Sequence, residues 1–408
     1  MLENPPDDPL RALTGDPFLD DPRPLYDWLR RHHPVYPMRP GQLVLSRYHD
    51  AHRLVRDPRF RRASLAEIAA RLPAGASDRR AMRMMYDSVA FANPPRHTRL
   101  RKVISRELTN ARVAALTERV TRLSDRLLDD VEERLRGGET VDLHADFTVG
   151  LARTVMADLL GVPEEDRDWM GALVNGVIAV LDPSVTGAQL DAADEACRQV
   201  DEYLNDLARR RRADPKDDLI SAWANPDDER IRLDEDELSV MMTGMWLAGF
   251  ESTASGIDHG LLLLSRHPEC AHWLDDGPER ASAFVDEVVR YEPQVMMTSI
   301  SWLATEDVVI GESTVPAGWD VRMLIGAVNH DPDAYPEPDR FDPGRPSTRN
   351  FSFYQGPHYC VGHALAKMEL SVALSAVHRR LPGLTLVGPP QRVPTLSLRR
   401  FARLPMAL

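Results

Sequence analysis

The segment Phe353-Tyr-Gln-Gly-Pro-His-Tyr-Cys-Val-Gly-His-Ala-Leu-Ala366 holds the residue types best able to do chemistry. Gly356 and Gly362 allow tight backbone turns on either side of Cys360. Residues 364–380 then read as a helix, with Leu365, Met368, Val372 and Leu374 apolar and Pro382 beyond its end. Cys360 therefore sits just before a helix N-terminus, where the dipole and the backbone N–H groups favour thiolate over thiol. A thiolate is a soft, strongly donating metal ligand. A buried structural cysteine satisfies the same local pattern, and Cys197 and Cys270 fit that plainer reading. Zinc matches less well, because H-x-C-x-x-H (His358, Cys360, His363) is not a usual zinc spacing and no fourth ligand is evident.

Three other groupings have chemical spacing. Glu287-Val-Val-Arg290 places an acid and a base on one helix face, although that pattern is common on solvated helices. Asn93-Pro-Pro-Arg-His97-Thr-Arg-Leu-Arg101 places His97 and Arg101 one turn apart, which by itself reads as a basic helix face. Ala248-Gly-Phe-Glu251-Ser252-Thr253 follows two small residues with an acid and hydroxyls. Small residues let a helix pass close to a neighbour, and an acid beside a hydroxyl can pass protons.

Helices must position these groups. Val113, Leu116, Val120, Leu123, Leu127, Val131 and Leu135 recur at steps of three and four until Gly137-Gly138. Leu151, Val155, Met156, Leu159 and Leu160 form a second stripe, stopped by Gly161 and Pro163. Between Pro226 and Pro268 there is no proline, and Asp234 to Glu237 place negative charge at a helix start. A helix over 234–266 would be about 50 Å long at 1.5 Å per residue, enough to cross a domain. Strands are expected at 42–46, 308–310, 321–324 and 396–398. The expected class is mainly α with small β-sheets.

The chain has 408 residues, a formal charge of −13, 43% hydrophobic and 28% charged residues. That composition is globular and not disordered. The acidic balance argues against a nucleic-acid binder. The apolar stretches 238–250 and 170–181 fall short of the ~18 residues a membrane span needs. The start, MLENPPDDPL, has no signal-peptide pattern, and three cysteines suit a reducing compartment. A cytoplasmic protein without membrane or nucleic-acid partners is expected. With neither repeat nor Gly/Ser linker, one domain over 1–408 is expected, about 1–20 being an N-terminal extension.

The 353–366 segment resembles F-x-x-G-x-H-x-C-x-G-x-x-L-A, the haem-binding loop of the cytochrome P-450 family. The other groupings resemble further family motifs in the family's order: D-P-P-x-H-T-x-x-R, A-G-x-E-T-T and E-x-x-R. The resemblance covers about 22–405 and is to the soluble bacterial branch, especially that of actinobacteria. It implies haem b, with Cys360 as the iron ligand and Phe353, Gly356, His358, Gly362 and Ala366 shaping the loop. His97, Arg101 and His358 would hold the propionates. Ala248 and Gly249 would lie along the cofactor, and Glu251 and Ser252 would relay protons for oxygen activation. Glu287, Arg290 and Arg340 (from Pro336-Glu-Pro-Asp-Arg340-Phe341) would form a buried structural network. Trp246, Leu247, Phe250, Val295, Met297 and Leu398 would line the substrate pocket, with Met82, Met84, Met85 and Met296 adding flexible apolar surface. Electrons would come from a ferredoxin and its reductase, docking at Lys102, Arg106 and Lys367.

Two departures from the family pattern stand out. Ser252 occupies a position that is usually Thr, and lacks the β-methyl that restricts the rotamer. Trp302 stands where the family normally carries a propionate-binding Arg, with Arg399 or Arg400 as candidate replacements. The resemblance implies a monooxygenase that adds one oxygen atom to a mainly apolar small molecule, in natural-product biosynthesis. The alternatives are oxidative coupling, rearrangement or peroxide-driven chemistry, or a non-catalytic haem-binding sensor or recruitment protein.

Overall fold

A computed structural model describes residues 5–183, 185–346 and 349–408. The chain is mainly helical, with small sheets. It forms two compact units: Met1–Arg61, Leu116–Leu151 and Ser252–Leu408 in the first, Arg62–Ala115 and Ala152–Glu251 in the second.

The helix punctuation acts where the sequence places it. Asn110–Arg136 ends at Gly137-Gly138, where Gly138 takes a φ of 86°. Val149–Leu160 ends at Gly161, which has a φ of 83°. The long helix spans Glu235–Arg266. Its start is capped by Asp234, whose carboxylate accepts from the Glu237 N–H at 2.8 Å. It belongs to the second unit through Glu251 and to the first from Ser252.

In the first unit this helix passes close to helix His363–Arg380. A Cβ on Gly260 would lie 2.6 Å from Leu374, and one on Gly256 3.0 Å from Leu370. Helix Pro278–Tyr291 also packs on His363–Arg380. A five-stranded sheet runs in the order Val35–Arg39, Gln42–Leu45, Asp320–Met323, Trp302–Ala304, Phe60–Arg62. It contributes Leu43, Leu45, Trp302, Val321 and Met323 to an apolar core shared with Leu54, Val55 and Phe351. Of the expected N-terminal extension, residues 1–4 lie outside the described residues. Leu10 and Leu13 are buried against Leu25, Tyr26 and Leu29.

In the second unit, Thr186 and Gln189 form a reciprocal capping box that starts helix Gly187–Ala213. The buried Asp201 of that helix accepts from Arg80 Nε at 2.9 Å and from Thr243 Oγ1 at 2.6 Å. The short helix Arg80–Asp87 and the long helix are thereby tied to one acid.

The strands differ from expectation at the C-terminus. Residues 396–398 are not a strand; only Leu398 pairs, in an isolated bridge to Val295. Thr395 Oγ1 donates to the Leu398 carbonyl at 2.6 Å and closes a turn there. The strands come later, at Arg400–Arg403 and Pro405–Ala407. Among the described residues, no helix is long and apolar enough to cross a membrane.

Candidate functional site

Cys360 lies just ahead of helix His363–Arg380, in a loop fixed at several points. Its N–H donates to the Phe353 carbonyl at 2.8 Å. The His363 ring Nδ1 lies 2.9 Å from the Cys360 carbonyl, a distance at which a protonated Nδ1 donates. Gly356 has a φ of 72°, and a Cβ there would meet the Val55 carbonyl oxygen at 2.9 Å, so the turn demands glycine. Gly362 is different. Its φ of −87° suits any residue, so it is not needed for the turn expected there. A Cβ there would have open space, with no described atom beyond its own chain neighbours within 4 Å. Cys360, His358, Phe353 and Ala366 are all partly exposed.

The Glu287–Arg290 pair is buried and bidentate, with Nε–Oε2 at 2.7 Å and Nη2–Oε1 at 2.8 Å. The third member expected, Arg340, is a correction. Its side chain is 64% exposed and lies 3.6 Å from the exposed Glu337 carboxylate rather than against Glu287. Arg345 takes the place, with Nε 3.4 Å from Glu287 Oε1 and the side chain largely buried. The cause is local: Glu337 takes a φ of 49° and the following chain turns back. The Arg340 backbone carbonyl, not its guanidinium, then faces inward and accepts from Arg290 and Arg345.

His97 and Arg101 share helix Arg96–Glu107 in the second unit. His97 is buried, and burial, then the charges of Arg101 and Arg62, lowers its pKa. Arg62 is a second cation beside His97 that sequence spacing could not supply. It is fully buried, and Asn93 holds its backbone through bonds of 2.9 and 3.0 Å. Nothing in the sequence pairs positions 62 and 93; the fold does.

The long helix shows an open stripe. Met245, Gly249 and Ser252 are partly exposed and Ala248 is exposed, on a helix otherwise largely buried there. These residues recur at steps of three and four, hence one face. Glu251 and Thr253 are buried. Gly249 is small for a reason of its own: a Cβ there would lie 1.9 Å from Met156 Cε.

Several expected pocket residues belong to the core. Trp246 is buried and its indole N–H donates to the Met170 carbonyl at 3.3 Å. Phe250 is buried beside it, with ring centroids 6.1 Å apart. Met297 is fully buried, and Met82, Met84, Met85 and Met296 are buried too. Leu247 and Val295 stay partly exposed, and Leu398 bridges to Val295.

At the second departure, Trp302 is buried and its indole N–H donates to the Tyr354 hydroxyl at 2.6 Å. Arg399 does not stand in for the missing cation: it pairs with Glu292 at 3.0 Å and is buried. Lys367 binds Asp286 at 2.7 Å, so its charge is offset where a basic patch was expected.

The donor set fits haem. In the first unit a partly exposed cysteine at a helix N-terminus offers one sulfur; in the second unit Arg62 and Arg101 place two like charges beside His97, which an anion would relieve. Among the described residues, no three or more His, Cys, Asp or Glu side chains gather as a metal-ion cluster.

Comparisons with known proteins bear on the family of the chain. The model of the family described as Cytochrome P450 matches residues 62–275 and 281–385. Cytochrome P450 BJ-3 of Bradyrhizobium diazoefficiens is 37% identical over 415 residues, covering 98% of this chain and 96% of its own. The mycinamicin IV hydroxylase/epoxidase of Micromonospora griseorubida is 33% identical over 371 residues, 88% of each chain. Among solved structures, P450BioI in complex with hexadec-9Z-enoic acid ligated acyl carrier protein superposes with a TM-score of 0.86 at 28% identity. That match covers 96% of this chain and 99% of the other. The chain belongs to the cytochrome P450 family.

Proposed function

We propose that this cytochrome P450 monooxygenase adds one oxygen atom from dioxygen to a mainly apolar small molecule in natural-product biosynthesis, with electrons from a ferredoxin and its reductase. The observation that carries the reading is the place of Cys360, partly exposed ahead of a helix in a loop held by the Phe353 carbonyl and the Gly356 turn. The cofactor is haem b. Bound through a thiolate, it activates dioxygen and supplies the oxidising chemistry.

The chain's own residues bind, orient and move protons. Cys360 is the ligand. His97, Arg101 and His358 hold the propionates, with Arg62 adding charge beside His97. Glu251, buried on the long helix, holds a proton, and Ser252 on the open stripe hands it on. Met245, Ala248 and Gly249 on the same stripe present no charge, which suits an apolar substrate. Val295 and Leu398 pair in an isolated bridge and offer a further apolar pair in the first unit. Buried Trp246 and Phe250, in contact with each other, back the stripe on the same helix.

The natural-product role is supported by likeness to a hydroxylase/epoxidase of mycinamicin IV. Three cysteines without disulfides suit the cytoplasm. Electron delivery would use Lys102 and Arg106, with Lys367 weakened by Asp286. Reconstitution with ferredoxin, reductase and NADPH under isotopically labelled dioxygen tests the whole reading against a metabolite panel. One labelled oxygen in the product is expected. Loss of two hydrogens with no label would replace insertion by oxidative coupling.

A further inference from the structure

Trp302 and Tyr354 lie far apart in the chain, and each is unusual. Trp302 stands on strand Trp302–Ala304, paired with Val321, with its ring in the core formed by Leu54, Val55 and Phe351. Tyr354 is on the Cys360 loop and takes a φ of 62°, a left-handed conformation that costs a side-chain-bearing residue about 1 kcal/mol or more. Such a conformation persists only where its surroundings hold it. The Trp302 indole N–H donates to the Tyr354 hydroxyl at 2.6 Å. The same indole meets the His358 ring edge to face, with centroids 5.7 Å apart and planes at 84°. One rigid side chain on a sheet therefore touches the loop at two points, one on either side of the Gly356 turn.

We propose that Trp302 is a positioning residue for the Cys360 loop, holding Tyr354 by a hydrogen bond and His358 by ring contact. A cationic side chain at this position would anchor the cofactor by charge. Trp302 instead fixes the protein segment that presents the sulfur. Arg399, one candidate for a displaced charge anchor, is already committed to Glu292. The inference rests on Cys360 being the haem ligand.

Trp302→Phe keeps the ring and removes the donor; Tyr354→Phe keeps the ring and removes the acceptor. In both holoproteins, haem transfer to apomyoglobin should speed up about five- to tenfold, the effect of one such bond. The reduced carbon monoxide complex should lose part of its strongly red-shifted Soret band to the shorter-wavelength band of a lost thiolate. The double variant should be no worse than either single one. Trp302→Arg should also increase the shorter-wavelength band, although it adds a cation. Wild-type transfer rates and band ratios in both Phe variants would overturn the proposal. Additive effects, or a lower melting temperature with an unchanged band ratio, would do so as well. So would a Trp302→Arg protein that holds haem better and keeps the band. A wild-type protein lacking the red-shifted band would overturn the Cys360 assignment, and this proposal with it.

Discussion

A methyl group placed on Gly249 would lie 1.9 Å from the Met156 thioether methyl. That group is the far end of a flexible side chain, so the helix can stay while Met156 is pushed aside. Gly249→Ala should cost about 1–3 kcal/mol in chemical denaturation, the usual price of overpacking. In a Met156→Ala background the clash is gone and the added cost should vanish. The sequence offered the small pair Ala248-Gly249 as one feature, but the two residues answer to different neighbours. Only a packed structure separates them, because helical spacing states which face a residue is on and not what meets it. Ser252 was legible in a fuller sense. It lies on the open stripe while Thr253 is buried, as one helical step of 100° requires. Ser252→Ala should lower product per NADPH consumed by about a hundredfold, the low end for a positioned proton donor. Ser252→Thr should raise it, since the β-methyl limits the hydroxyl to fewer rotamers. Equal coupling in all three proteins would remove Ser252 from the relay.

At the scale of elements, the buried Glu287–Arg290 pair needs a third partner from the loop that follows residue 336. Counting along Pro-Glu-Pro-Asp-Arg-Phe gives Arg340, yet the left-handed Glu337 sends that side chain outward and brings Arg345 to Glu287. Arg345 also donates to the carbonyls of Pro336, Glu337 and Arg340. Arg345→Ala should therefore cost about 1–3 kcal/mol and lower haem content, while Arg340→Ala stays within about 0.5 kcal/mol. Glu287→Ala should be the most severe, about 3–5 kcal/mol, because it leaves a guanidinium buried without its carboxylate. Thermal midpoints and haem content of the three purified variants check the order, and equal effects at 340 and 345 would contradict it. The pattern of success has a physical reason. Long helices repeat their apolar period many times and end at Gly138, Gly161 or before Pro268, so their limits can be read from the sequence. Strand Trp302–Ala304 has three residues and Val35–Arg39 contains Pro37, too little or too irregular for a period to register. The loop that carries Arg345 has no period at all.

For the molecule as a whole, acid stability should be set by histidines that the sequence does not single out. His259 and His330 are both buried in the first unit, and burial is the main force holding the pKa of each down to about 3. The Arg392 and Arg399 charges also lower His259 while Glu292 opposes them, and Arg290 and Arg30 lower His330. The geometry agrees with a neutral His259: Nδ1 lies 2.7 Å from the Ser255 carbonyl, and Nε2 is 3.0 Å from Arg392 Nη1, which can only donate. In the unfolded chain these rings regain an ordinary pKa near 6.5. Between about pH 6.5 and 3 the unfolded state therefore takes up protons that the folded state refuses. The histidines' contribution should be full above that window and fall as pH drops, by up to about 1.4 kcal/mol per pH unit for each, while the fully buried Glu369, whose pKa burial raises well above the ordinary value, acts in the opposite direction. At pH 5 this amounts to about 2 kcal/mol per histidine. Glu292 adds only below its unfolded pKa. Its folded value is held down to about 2, because the charges of Arg399 and Arg392 outweigh the burial that would raise it. Its contribution is thus lost between about pH 4.5 and 2. Urea unfolding between about pH 7 and pH 5 reads this contribution by comparison: His330→Gln should remove one histidine's share of the pH dependence. A slope unchanged by that substitution would mean the ring already takes up its proton in the folded state.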